Sequence, residues 1–119
     1  MERKSKVFLA ALLAASLAWP ASALECPAPR PVAKPGVLQE TAAQIEETGK
    51  MLSSGDLGQQ TKAIVAVLRS RYPQAENAEL VNYLITAYCP VVAGLPQISE
   101  AEKKARLDQF VGQLMQKIY

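Results

Sequence analysis

From Val37 to Tyr119 the apolar positions recur at three- and four-residue steps, the period of helices with one buried face, and four segments carry the pattern. The first contains Leu38, Ala42, Ile45, Met51 and Leu52, with Glu40, Gln44, Glu46, Glu47 and Lys50 between them. Ser53-Ser54-Gly55 stops it, because the glycine can take a left-handed conformation. Asp56 then reads as an N-cap, with Gln59 three places on to complete a capping box. The second helix has the stripe Leu57, Ile64, Val67 and Leu68 and ends near Tyr72-Pro73. So short a linker predicts that these two helices pack as an antiparallel pair. In the third helix Leu80, Val81, Leu84, Ile85 and Tyr88 form the inner stripe, opposite Glu79, Asn82, Tyr83 and Thr86. Cys89 falls on the inner stripe, and Pro90, which lacks the backbone donor of a continuing helix, is expected to end or kink the helix there. After a loop with Gly94 and Pro96, Ser99 with Glu102 reads as a second capping box. It opens a last helix whose face is Leu107, Phe110, Val111, Leu114, Met115 and Ile118. No convincing strand alternation and no internal repeat is present, so the fold class expected is all-α: a small bundle of about four helices.

The segments before Val37 read differently. Arg3, Lys4 and Lys6 form a basic head, Val7 to Trp19 is an apolar run, and Pro20-Ala21-Ser22-Ala23 ends in the small-x-small form that a signal peptidase cuts after. The run is shorter than the roughly 20 residues a membrane span needs. Residues 1–23 are therefore expected to be a secretory signal peptide, cleaved near Ala23, with a periplasmic or secreted destination and no membrane anchor afterwards. A lipoprotein signal is disfavoured because Leu24 and Glu25, not a small residue, precede Cys26. Residues 24–36, LECPAPRPVAKPG, contain four prolines and are expected to form an extended arm, leaving 37–119 as one helical domain.

Removing the leader changes the charge picture. Three of the chain's 13 basic residues and one of its 11 acids lie in the first 23 positions, so the remainder carries ten of each and is close to neutral. The groups Arg69 with Arg71, and Lys103 and Lys104 with Arg106, are short, lack interleaved aromatics and have acids nearby. They read as solvated helix faces, and no nucleic-acid partner is expected.

Two cysteines in an exported chain of this size pair by default. A Cys26–Cys89 bond would tie the arm to a buried helix end and close a loop of roughly 64 residues, worth at most about 4 kcal/mol in the chain-entropy model. Other roles for Cys89 meet an absence, because the sequence contains no histidine. A cysteine nucleophile with an imidazole base, a serine triad, covalent haem and the usual zinc sites of cysteine with histidine all need one, and a redox C-x-x-C is missing too. The acid pairs Glu46-Glu47, Glu76 with Glu79 and Glu100 with Glu102 fall on polar faces or in first helical turns, where carboxylates favour the helix dipole. No catalytic, metal or cofactor-binding residues are therefore singled out, no cofactor is expected, and an enzyme is disfavoured. Arg71, Asn82, Tyr83 and Thr86 stand out as a candidate contact surface, since an aromatic residue on a polar helix face can anchor a partner.

The segments LRSRYPQAENAELVNYLITAYCPVVAG and ISEAEKKARLDQF resemble a group of small secreted bacterial proteins of unassigned activity, and the resemblance implies a bacterial, exported origin. In outline alone the chain is also similar to acid-stress chaperones of the HdeA type, which are small, helical and periplasmic with one disulfide, although no motif is shared and the cysteine spacing differs. Two function classes follow. One is an exported binding or structural protein that engages another envelope protein. The other is a chaperone that loosens at low pH, where its acids would protonate and leave a self-repelling positive chain.

Overall fold

The computed structural model describes residues 23–27 and 38–119. They form four α-helices: α1 (Ala42–Leu52), α2 (Leu57–Arg71), α3 (Asn77–Ala93) and α4 (Glu100–Ile118). Among the described residues there is no strand. The expected signal peptide lies outside the described residues except at Ala23. Of the expected arm, only Leu24 to Pro27 are described.

Local signals set the helix boundaries. Thr41 caps α1 through a reciprocal box, its hydroxyl accepting from Gln44 N–H at 3.1 Å while Gln44 Oε1 accepts from Thr41 N–H at 2.8 Å. The helix therefore begins at Ala42, later than the periodicity from Val37 predicts. Asp56 and Ser99 are the N-caps of α2 and α4, as expected, but as one-sided caps rather than full boxes, accepting from Gln59 and Glu102 N–H at 2.9 and 3.1 Å. Gly55, after α1, has φ +117°, and no other described residue except it has a positive φ. The helix α3 runs through Pro90 to Ala93, so of the expected end or kink at this residue the end does not occur. Pro90 is exposed, where water can replace a missing backbone bond, whereas Val92 beyond it is fully buried and favours the extra turn.

Helix α3 is the centre of the bundle and packs most extensively on α1 and α4; α1 meets α2 over a smaller area. The expected pairing of the first two helices is thus secondary to the α1–α3 contact. Gly49 explains why. A Cβ at this position would collide with the carbonyl oxygen of Ala87, so only glycine allows the two backbones to approach so closely. The core gathers Leu38, Leu52, Ile64, Leu68, Leu80, Leu84, Ala87, Phe110, Leu114 and Ile118, and Tyr88 stacks at a tilt on Phe110 with ring centres 4.5 Å apart. Val65 is buried and Val67 is half exposed, the reverse of the expected α2 stripe, and Met51 and Met115 also face outward.

The disulfide joins Cys26 to Cys89, with Cα atoms 5.5 Å apart. Two cations expected on solvated faces instead close helix ends. Lys103 Nζ donates to Ala93 O at 2.8 Å, at the C-terminus of α3, and Arg69 Nη2 donates to Ile118 O at 3.2 Å, at the C-terminus of α4. Lys104 matches the solvated reading and pairs with Asp108 at 3.5 Å across one exposed turn.

Candidate functional site

The segment before α1 alternates like an extended strand of three residues: Leu38 is buried, Gln39 is exposed, and the side chain of Glu40 turns inward until it is 3% exposed. Burying a carboxylate is unfavourable unless hydrogen bonds replace its hydration. Three side chains supply them. Tyr72 Oη, just past α2, donates to Glu40 Oε2 at 2.6 Å, Arg71 Nη1 at the end of α2 donates to the same oxygen at 3.0 Å, and Tyr83 Oη in α3 donates to Oε1 at 3.0 Å. Thr48 in α1 completes the cluster, its Oγ1 lying 2.8 Å from Tyr83 Oη and 3.0 Å from Gln44 O. With Glu40 as a carboxylate, the Tyr83 proton goes to it, and the single Thr48 proton serves either Tyr83 or the Gln44 carbonyl. Among the described residues, no buried side-chain nitrogen or oxygen lacks a hydrogen-bond partner.

Charges respond as this geometry requires. Tyr83 is pushed up to about 12, first by burial and then by the bond to Glu40, with the Thr48 hydroxyl acting in the opposite direction. Tyr72 is raised as well, by burial first and the Glu40 carboxylate second. The Arg71 guanidinium is held still more firmly protonated by its hydrogen bond and charge pairing with Glu40. Neither tyrosine is therefore a phenolate available as a base near neutral pH, and the Glu40 oxygens already accept three donors. What the cluster offers to solvent is Arg71, whose side chain is 49% exposed. It also lines a shallow, open depression with Ala66, Val67 and Ser70, in which Val67 is 51% exposed.

The candidate contact surface drawn from the sequence is corrected by this arrangement. Tyr83 is 8% exposed and belongs to the interior, so it cannot act as an exposed anchor. Glu40 brings Arg71 and Tyr83 together. Asn82 is exposed on α3, and Thr86 is half-buried with its hydroxyl donating to Asn82 O at 2.8 Å; neither bonds to the cluster. Sequence reasoning missed Glu40, Thr48 and Tyr72. The signal was the Thr41-x-x-Gln44 capping box, which starts the helix after Glu40 and frees that residue from the polar face on which periodicity places it.

Among the described residues, no group of three His, Cys, Asp or Glu residues is placed to hold a metal ion, and no helix is long and apolar enough to cross a membrane. No protein-family model, curated protein or solved structure matches this chain.

Proposed function

We propose that the protein is exported and acts without catalysis, as a small helical binding or structural protein of the cell envelope. Its partner would be engaged through the outer face of α2 around Val67 and Arg71. One observation carries the choice of surface: Arg71 is half exposed yet fixed by a buried carboxylate, beside a half-exposed valine on a helix face lined by Ala66 and Ser70. A guanidinium whose orientation is already set loses little freedom on binding, and its remaining N–H groups match a carboxylate on a partner. The Cys26–Cys89 bond supports the export reading, since such bonds persist chiefly in oxidising compartments.

The test is site-specific photo-crosslinking in cells that express the full chain. A photoreactive residue at Val67 is expected to give a discrete adduct that Arg71→Glu abolishes, while the same residue at Asp108 on α4 gives none. Identical adducts at both sites, or none at Val67, would refute the assigned surface.

A second reading, an acid-triggered chaperone, is favoured by Glu100, whose carboxylate ties the Leu24 backbone and Lys103 to the start of α4. Its carboxyl is held below the usual range, first by the Lys103 hydrogen bond and then by the Leu24 N–H, so its contribution is present above the unfolded value and lost as pH falls through the folded one. Dye binding and suppression of client aggregation at about pH 2–3 would separate the readings, since a chain that stays compact and inert there is no chaperone.

A further inference from the structure

The described residues place a second carboxylate where it meets the chain's own backbone. Cys26 is covalently fixed to the fully buried Cys89, and two residues earlier the Leu24 N–H donates to Glu100 Oε1 at 3.0 Å, at the first turn of α4. The other oxygen, Oε2, is 2.8 Å from Lys103 Nζ, which also reaches the Ala93 carbonyl at the end of α3. Ala23 is exposed and Leu24 is half-buried, so the chain passes from exposed to half-buried across the bond between them. This is also the bond that the small-x-small pattern marks for cleavage.

We propose that Glu100 is the docking site for the mature amino terminus: hydrolysis of the Ala23–Leu24 amide turns the Leu24 N–H into an ammonium that pairs with the Glu100 carboxylate. This inference rests on the export reading above. A water molecule adds across the amide, leaving a carboxylate on Ala23 of the released leader and an ammonium on Leu24, with a signal peptidase as the catalyst. In the uncleaved chain Glu100 receives one neutral amide donor at this point. After cleavage it receives a full positive charge and two more N–H groups in the same place, which strengthens the contact. The charged groups beside the new terminus are Glu100 and Lys103 of α4 and the exposed Glu25 next along the chain. Lys103 repels the ammonium, but it uses the other carboxylate oxygen, so the three groups form an alternating row with Glu100 in the middle. The disulfide does the positioning, because it holds Leu24 near α4 whether or not the charge is present. Processing thus completes an ionic clasp at the junction of arm, α3 and α4.

Two measurements test this separately from export itself. The intact mass of protein isolated after expression of the full chain with its own leader is expected to match residues 24–119 with one disulfide. A different first residue would overturn the assignment of Leu24 as the terminus. Independently, chain 24–119 is prepared by removing an N-terminal fusion; it contains the disulfide, all four helices and every hydrogen bond cited above. The Leu24 α-amine is then titrated by NMR in this chain and in Glu100→Gln. The amine is expected to titrate at higher pH in the parent chain than in the variant. The parent's thermal midpoint is expected to exceed the variant's by about 1–4 °C below the amine's unfolded value of roughly 7.7–8.0, the advantage fading as pH rises through the folded value. Equal amine titration in the two chains would overturn the clasp even if export and cleavage are correct. To guard against a variant that loses structure, Glu100→Asp in a second preparation should weaken the amine shift without abolishing it.

Discussion

Two non-helical segments are fastened to this bundle, and they are fastened by different physics. Residues 38–40 are held by a buried carboxylate that collects donors from α2, the residue that follows it and α3, so the partners share one acceptor group and loss of one weakens the setting of the others. Residues 24–26 are held by a covalent bond to α3 and by a half-exposed carboxylate at the start of α4, an anchor in which the disulfide positions and the charges only tighten. The first arrangement needs water excluded to be strong; the second works in its presence. A buried anchor of this kind also orients an exposed side chain, Arg71, without immobilising it in the core.

Removing the covalent anchor should have the largest effect. Replacing both Cys26 and Cys89 with Ser is expected to cost about 2–4 kcal/mol in urea unfolding, since the cross-link that closes a loop of roughly 64 residues is lost from a small core. Substitution Gly49→Ala comes next, because the added methyl must push α1 away from the Ala87 carbonyl. A loss of about 1–3 kcal/mol is expected, and a neutral result would mean that the close approach is dispensable. Glu40→Gln should also cost about 1–3 kcal/mol, as the amide leaves Tyr72, Tyr83 and Arg71 with one good acceptor in place of two charged oxygens. Tyr83→Phe keeps the ring and removes only the hydroxyl, so about 1 kcal/mol is expected. The same variant should remove the tyrosine that ionises near pH 12 in absorbance titrations. Burial raises its folded value above the unfolded one of about 10, so the stability it contributes is complete below pH 10 and falls as pH rises toward 12. Breaking the exposed Lys104–Asp108 pair should change stability least, within about 0.5 kcal/mol.

Features that depend on neighbours in sequence were legible. Asp56 and Ser99 cap helices where a side-chain oxygen meets the third following N–H, Gly55 ends α1, and the cysteines pair across the expected distance in the chain. Features that depend on what surrounds a helix were not. Tyr83 lies on the more polar side of α3 by periodicity, yet α3 is covered on nearly every side, and the apolar content of Leu80 to Val92 was the sign that its polar side would be buried too. Val65 replaces Val67 in the core because the contact with the other helices, not the period alone, fixes the rotation of α2. Glu40 was hidden by a helix start placed a few residues early. An error of that size is small for a boundary but reverses inside and outside for a side chain.

The most direct test of the account is a double-mutant cycle between Glu40→Gln and Tyr83→Phe, read by urea unfolding at neutral pH with the disulfide intact. If the carboxylate and the two helices form one network, the combined loss falls short of the sum of the single losses by about 0.5 kcal/mol or more. Strictly additive losses would show that Glu40 and Tyr83 act independently and that the buried anchor does not exist as a unit.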